Sequence, residues 1–220
     1  MADTRNCEQC GTAFTPRREH ARFCSAECRI AWNDDHAGDG ASGLSALDWS
    51  IAAMGEATGR LSRIRAWDRT RACWAVGDAV WWVTIVDATL VRYYPDEYDD
   101  VLCGQSDGER QLINDTMAGL RFVRNQMSNA IGNVDFVQPG PGCGKPEDGG
   151  ISAWLWSRVP EPEVDALLPR GQAWEMSRYQ AYQDQLAGHT IDETFARATA
   201  FLQLAAATAL QEADAAQARS

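Results

Sequence analysis

Four of the seven cysteines form two close pairs near the start of the chain, at a spacing that suits metal binding. Two residues separate Cys7 from Cys10, three separate Cys24 from Cys28, and thirteen lie between the pairs. Four thiolates can surround one ion tetrahedrally at about 2.3 Å only when the chain folds back and brings two such pairs together. Four unrelated buried thiols would not need this spacing. The sequence therefore predicts one structural Zn²⁺ held by these four cysteines.

The residues around the two pairs favour the local structure that such a site requires. Gly11 directly follows the first pair, and glycine tolerates the positive φ of a tight turn whose backbone N–H groups point at sulfur. Ser25 can cap a short helix whose first turn contains Cys28, and a helix N-terminus favours the thiolate charge. Phe14 and Phe23 offer too little apolar area to fold this module. Metal binding is therefore expected to supply its folding free energy.

Two stretches of the module carry a family resemblance: Cys7-x-x-Cys10-Gly11-x-x-Phe14-x-Pro16 and Arg22-Phe23-Cys24-Ser25-x-x-Cys28-Arg29. They resemble the treble-clef type of short bacterial zinc fingers, in which a knuckle, a hairpin and a helix each contribute. The resemblance covers residues 5–33 and implies a closed structural site rather than a catalytic one. Such fingers bind DNA, RNA or protein, so nucleic acid and protein are both candidate partners. The candidate contacts are the arginines of the module, which could also serve solvation alone: Arg17, Arg18, Arg22 and Arg29.

Net charge is distributed unevenly along the chain. Residues 1–33 contain five arginines against four acidic residues and carry a net charge of +1. Residues 34–220 carry −12, which gives the chain its total of −11. An acidic body repels phosphate backbones at long range, which argues against nucleic-acid binding by the whole surface. Phosphate contacts are therefore expected only in the N-terminal module. The single lysine beside 19 arginines is typical of a GC-rich bacterial genome.

The rest of the chain is predicted to be a linker followed by a mainly α domain. Residues 34–43 contain three glycines and no apolar anchor, which predicts a flexible linker. Within residues 44–220, apolar side chains recur at helical spacing in about five segments. These helices are expected near 45–64, 71–93, 107–130, 172–186 and 191–213, with residues 212–220 frayed. Two extended runs, 134–137 and 151–156, are expected to pair as a short two-stranded β insertion in this helical bundle.

The most apolar stretch, 72–91, is about long enough to cross a bilayer. Asp78 and Asp87 would lie on opposite faces of that helix, and burying both in lipid would cost several kcal/mol. The stretch is therefore predicted to be the central helix of a soluble bundle, apolar nearly all round. The polar start of the chain predicts no secretory signal. These features favour a cytoplasmic protein that enters no membrane and keeps its thiols reduced for metal binding.

The helical body offers one candidate polar cleft, formed by Asp87, Arg121, Arg124 and Asn125. A carboxylate on an apolar helix needs a partner when it is buried, and Arg121 or Arg124 could pair with Asp87. A structural ion pair is the simpler interpretation of these residues. A functional pocket is the alternative.

Arg124 and Asn125 also resemble part of the Arg-x4–6-His signature of HEPN domains. Those domains are helical bundles that often dimerise and cleave RNA, with the histidine doing acid–base work and the arginine stabilising the phosphate. In this chain Asn129 stands near the position of that histidine, and asparagine cannot exchange a proton near neutral pH. The resemblance therefore implies a degenerate ribonuclease, of toxin or phage-defence type, as an alternative function.

The sequence as a whole favours a non-enzymatic function. We expect a bacterial zinc-binding protein whose N-terminal finger binds nucleic acid or protein. The helical body is expected to self-associate as a homodimer. A plain scaffold, in which the finger contributes only stability, is the third hypothesis.

Overall fold

The computed structural model describes residues 4–15, 22–25, 28, 31, 41–61, 63–64, 68–129, 135–140, 153–165 and 167–217. The chain divides into two compact units, Met1–Ala46 and Leu47–Ser220, called here the N-terminal unit and the helical unit. The described residues contain 6 helices and two two-stranded sheets, which confirms the predicted mainly α fold with a small β insertion. The elements in chain order are β1 (Arg5–Asn6), β2 (Ala13–Phe14), α1 (Ala41–Leu61), α2 (Arg69–Tyr93), α3 (Pro95–Cys103), α4 (Asp107–Asn129), β3 (Val137–Pro139), β4 (Trp154–Trp156), α5 (Pro169–Gln185) and α6 (Ile191–Gln217).

The first helix, α1, begins inside the predicted linker. Its first residue is Ala41, so the end of the segment 34–43 is helical, while residues 34–40 lie outside the described part of the chain. Leu47, Met54 and Leu61 recur every two turns and are buried in the core of the helical unit. Their periodicity therefore predicted the buried face of α1 correctly.

The central helix of the helical unit is α2, but only one of its faces is buried. Asp68 caps its N-terminus by accepting the backbone N–H of Arg71 at 3.1 Å. The prediction of a helix apolar nearly all round overlooked one exposed side, on which Trp74 and Trp81 have 70% and 47% of their surface open to solvent. The buried face instead carries small and branched side chains, which allow α4, α6 and β3 to pack closely: Ala72, Val76, Ala79, Val80, Val83, Val86 and Leu90.

The short helix α3 lies outside the helices predicted from the sequence, because a proline that follows a helix more often marks its end. Pro95 lies in the first turn of α3, where its missing N–H is not needed and its fixed φ suits a helix. Asp96 and Glu97 in the same turn stabilise the helix N-terminus by their charge. Tyr98 then packs edge-on against Phe201 of α6, with ring centroids 4.9 Å apart.

Helices α4 and α5 approach each other closely at Gly119. A Cβ at this position would lie 2.8 Å from Leu186 Cδ1 and 3.2 Å from the backbone Cα of Tyr182, so a larger residue would force the backbones apart. Nearby, Phe122 stacks against Tyr179 and Tyr182 with centroids 5.6 and 5.5 Å apart. Six apolar side chains recur at helical spacing along α4. Four of them are buried, whereas Leu112 is half-buried and Met127 is 37% exposed: Ile113, Met117, Leu120 and Val123.

Strands β3 and β4 form an antiparallel ribbon beside α2 and α6. Val137 pairs with Trp156, and Pro139 pairs with Trp154. The second strand lies within its predicted run, whereas the first begins at the last residue of the run 134–137 and extends beyond it. Trp156 is fully buried, and its Nε1–H donates to Thr194 Oγ1 at 2.9 Å.

The last helix, α6, continues to Gln217, so the predicted fraying from residue 212 is wrong up to that point. Its apolar residues at helical spacing form the buried face, with Ile191, Phe195, Ala198 and Leu202 in the core. Each of these side chains lies three or four residues from the next, which places them on one side of the helix.

One helix in the described part of the chain, α2, is long and apolar enough to cross a bilayer. Half of its most apolar window is buried inside the protein. It also carries the buried carboxylate of Asp87. This packing fits the core helix of a soluble protein.

Candidate metal centre

The first cysteine pair lies on the turn that joins β1 to β2. Within this turn the Cys7 N–H donates to the Thr12 carbonyl at 2.9 Å, and the Gly11 N–H donates to the Cys7 carbonyl at 2.8 Å. Gly11 has a φ of +71°, in the left-handed region that glycine adopts without strain. These contacts fix the backbone that carries Cys7 and Cys10.

The second pair is tied to this turn by main-chain and side-chain contacts. The Glu8 N–H donates to the Arg22 carbonyl at 3.1 Å, and the Arg22 guanidinium forms an ion pair with the Glu8 carboxylate. Ser25 Oγ accepts the Cys28 N–H at 3.2 Å, the contact expected of a serine that caps a helix. Together these contacts bring Cys24 and Cys28 beside the first pair.

The four sulfur atoms lie at the separations that a tetrahedral metal site needs. All four Sγ atoms of Cys7, Cys10, Cys24 and Cys28 lie within 4.8 Å of one another. Cys10 Sγ is 3.6 Å from Cys24 Sγ, which is 3.5 Å from Cys28 Sγ. Four sulfurs placed tetrahedrally at about 2.3 Å from one ion are about 3.8 Å apart. The residues therefore fit a metal ion bound by four thiolates.

The sulfurs differ in how readily they ionise. Burial opposes ionisation of Cys7, but three backbone N–H groups, the strongest that of Cys10, lower its pKa to about 6. The side-chain hydrogen bond with Thr12 lowers the pKa of Cys10. Hydrogen bonds among the sulfurs raise the pKa of Cys24 to about 12, and the bond with Cys28 has the largest effect. In this arrangement of the four sulfurs, Cys24 is therefore the thiol that ionises least readily.

Metal binding is expected to weaken as the pH falls. Only a deprotonated cysteine binds the metal, and the pKa of Cys24 among the clustered sulfurs is raised to about 12, so the incoming cation must displace its proton. We expect Zn²⁺ titrated at about pH 7.5 to release at least about one proton for each ion bound. Calorimetric titration in two buffers of different ionisation enthalpy measures this release. An affinity that is equal at about pH 6 and about pH 8 would contradict the expectation.

Of the four arginines predicted to contact a partner, one lies in the described part of the chain. Arg22 is engaged with Glu8, and its Cζ lies 5.5 Å from the centroid of the Phe23 ring. It therefore contributes contacts within the N-terminal unit. The other predicted contacts lie outside the described residues: Arg17, Arg18 and Arg29.

In the helical unit, Asp87 is buried with 2% of its surface exposed and is paired with Arg121. Two nitrogens of Arg121 donate to the two carboxylate oxygens at 2.6 and 2.7 Å, and the Tyr98 hydroxyl donates to Asp87 Oδ1 at 3.0 Å. Burial alone would lower the pKa of Arg121, but the hydrogen bond and charge of Asp87 raise it. Burial and the charge of Asp87 raise the pKa of Tyr98. These three residues form a neutralised, hydrogen-bonded cluster.

The other two residues of the predicted cleft, Arg124 and Asn125, do not join this ion pair. Arg124 lies over the exposed ring of Trp81, with its Cζ 5.2 Å from the ring centroid. Asn125 Nδ2 and Gln126 Nε2 donate to the carboxylate of Glu175 at 3.2 and 3.1 Å. The four residues of the predicted cleft therefore make three separate sets of contacts: Asp87 with Arg121, Arg124 with Trp81, and Asn125 with Glu175. Glu175 is a buried carboxylate that the sequence did not indicate.

Comparisons of the chain with protein-family models, with curated proteins and with solved structures found no match. Four closely spaced cysteines, held by a hairpin turn and a capped backbone, could hold one metal ion.

Proposed function

We propose that the chain is a zinc-dependent interaction protein whose N-terminal unit binds a macromolecular partner. The observation that carries this proposal is the cluster of four Sγ atoms within 4.8 Å of one another. A site with four thiolate ligands leaves no open position for substrate, so its role is structural. In this proposal the metal holds a treble-clef-like finger in the shape that presents its arginines.

Zn²⁺ is the ion that this donor set favours. Tetrahedral sites with four sulfur ligands are typical of zinc or of iron–sulfur clusters, whereas Mg²⁺ and Ca²⁺ prefer oxygen ligands. A single ion fits sulfur–sulfur separations of 3.5 and 3.6 Å. These distances match those about one zinc ion, for which about 3.8 Å is expected.

The metal assignment is tested by measuring the zinc content of the purified chain. We expect about one zinc ion per chain, and a loss of most of it in the variant Cys24→Ser. Cys103→Ser is the matched control, because Cys103 is an exposed cysteine outside the cluster. Equal zinc content in both variants would contradict the proposal.

Nucleic acid is the partner that we propose for the finger. Residues 1–33 carry +1 in a chain of net charge −11, so they form the segment least repelled by phosphate. The double variant Arg17→Ala/Arg18→Ala is expected to weaken oligonucleotide binding by about tenfold and to lower its salt dependence. Arg92→Ala, in the helical unit, is expected to change neither. A zinc-loaded chain that binds no nucleic acid would favour a protein partner.

The ribonuclease alternative has little support in the contacts of Arg124. This arginine lies over the ring of Trp81, and the Asn125 side chain donates a hydrogen bond to Glu175. Asn129, the last residue of α4, cannot act as a general acid or base near neutral pH. Self-association of the helical unit and a cytoplasmic location remain predictions of the sequence.

A further inference from the structure

Two exposed tryptophans and three half-buried arginines lie on the helical unit, outside the cysteine cluster. We call this group the Trp–Arg surface; it consists of Trp81 from α2, Arg121 and Arg124 from α4, and Trp174 and Arg178 from α5. The two arginines of α4 are three residues apart, and the two residues of α5 are four apart, so each pair shares a helix face.

Contacts between α4 and α5 place the third arginine level with the other two. Phe122 contacts Tyr179 with ring centroids 5.6 Å apart. Further toward the end of α4, two amides contact Glu175, which precedes Tyr179. The helices therefore run antiparallel, and Arg178 lies opposite residues 121–124.

Two of the three guanidinium groups form no ion pair with a described carboxylate. Arg121 is neutralised by Asp87, whereas neither Arg124 nor Arg178 has a carboxylate oxygen within 4.0 Å among the described residues. Burial and the charge of Arg121 lower the pKa of Arg178, partly offset by Glu175. A bound anion would therefore supply Arg124 and Arg178 with the counter-charge that no described carboxylate gives them at ion-pair distance.

The tryptophans hold the arginines in place while leaving ring surface open. The Cζ of Arg178 lies 3.6 Å from the centroid of the Trp174 ring, and 47% of Trp81 and 63% of Trp174 are exposed. A groove of about 980 Å³ adjoins the Trp174 ring, and it is lined also by Leu167, Leu168 and Arg170. Grooves of about 300–1,000 Å³ accommodate small organic ligands.

We propose that the Trp–Arg surface binds a nucleotide, with its phosphate on the arginines and its base stacked on a tryptophan. Guanidinium groups match phosphate with two parallel hydrogen bonds, and every base has a flat face that can stack on indole. A free nucleotide and a nucleotide within a single strand share this chemistry. The inference concerns the helical unit alone and does not rest on the proposed zinc finger.

Quenching of tryptophan fluorescence tests this proposal. The metal-loaded full chain is titrated with AMP, with a single-stranded oligothymidylate and with inorganic phosphate. We expect AMP or the oligonucleotide to bind more tightly than phosphate, and the variants Arg124→Ala and Arg178→Ala each to weaken binding by about tenfold. Tighter binding of AMP identifies a free nucleotide, and tighter binding of the oligonucleotide identifies a strand.

Arg92→Ala is the matched control, because Arg92 also lies over an exposed ring, with its Cζ 5.2 Å from the centroid of Tyr93. It lies about 16 Å from Trp81 along α2, and its loss is expected to change nothing. Circular dichroism verifies that each variant is folded. Arg178→Lys keeps the positive charge but cannot donate two parallel hydrogen bonds, and it is expected to weaken binding several-fold. A second comparison separates the two proposals: Cys24→Ser is expected to retain the AMP binding that the arginine variants lose, whatever becomes of oligonucleotide binding by the finger.

Three results would overturn the nucleotide assignment. They are no binding of AMP or oligonucleotide at about 1 mM, an equal loss in Arg92→Ala, and binding of phosphate as tight as that of AMP. Binding of phosphate-free polyglutamate in place of nucleotides would instead assign the surface to an acidic protein. Loss of oligonucleotide binding in Cys24→Ser but not in the arginine variants would assign it to the N-terminal unit.

Discussion

Removal of the metal is expected to unfold the N-terminal unit and to leave the helical unit folded. The described part of the N-terminal unit has two strands of two residues each, and its turn is held by a few hydrogen bonds around Gly11 and Ser25. A module of this size cannot bury enough apolar surface to balance its chain entropy. Structural zinc sites supply about 10–16 kcal/mol of apparent binding free energy, which is enough to reverse that balance.

Amide hydrogen exchange with and without a zinc chelator measures this effect. We expect the protected N–H groups of Cys7, Gly11 and Cys28 to exchange rapidly after chelation. The helical unit should keep its protection, because its core draws its buried residues from positions 47–209. Cys103→Ser provides the control, with protection that still depends on metal. Unchanged protection of Gly11 after complete removal of zinc would contradict the prediction.

Replacing Asp87 with alanine is expected to lower the free energy of unfolding of the helical unit by about 3–5 kcal/mol. The change leaves Arg121 as a charge with no carboxylate to accept from two of its nitrogens. It also removes the acceptor of the buried Tyr98 hydroxyl, and an unsatisfied buried donor adds its own desolvation cost. The loss of one partner is costly because the other charge remains in a poorly solvated environment.

Asp78→Ala provides a matched control on the same helix. Asp78 is also paired with an arginine, since Arg60 Nη2 lies 3.4 Å from its Oδ2, but its side chain is 57% exposed. Exposed ion pairs contribute about 0–1 kcal/mol, so this variant should be near neutral. Urea denaturation followed by circular dichroism measures both variants. Equal losses in the two variants would show that burial does not determine the contribution of the Asp87 pair.

Helices whose apolar residues recur every three or four positions could be predicted from the sequence. A helix whose only signal is the proline and acidic residues of its first turn could not. The face of α6 was evident because Ile191, Phe195, Ala198 and Leu202 keep helical spacing. By contrast, α3 carries its signal in Pro95 and two following acidic residues, which also occur where a helix stops. The exposed tryptophans of α2 were missed because hydrophobicity alone does not tell which side of a helix its neighbours cover.

The candidate metal centre was predictable because all of its chemistry lies in residue type and spacing. Four cysteines in two pairs predict a site wherever the chain folds back, and the cluster lies within 4.8 Å as that argument requires. The polar contacts of the helical unit depend on tertiary register instead. The sequence offered Arg121 and Arg124 equally to Asp87, and only the packing of α2 on α4 selects Arg121. Glu175 lies in a polar stretch, so no local pattern indicated that two amides would enclose it.

The close approach at Gly119 also determines the spacing of charges that it does not contact. Arg124 lies five residues further along α4, and Arg178 lies four residues before Tyr182 on α5. A Cβ at Gly119 would meet the Leu186 side chain and the Tyr182 backbone, so one of them would have to shift by a few tenths of an ångström. Such a shift would move the helix segments that carry these two arginines, although no charged residue had changed. The relative placement of Arg124 and Arg178 thus depends on close packing at a glycine that neither of them contacts.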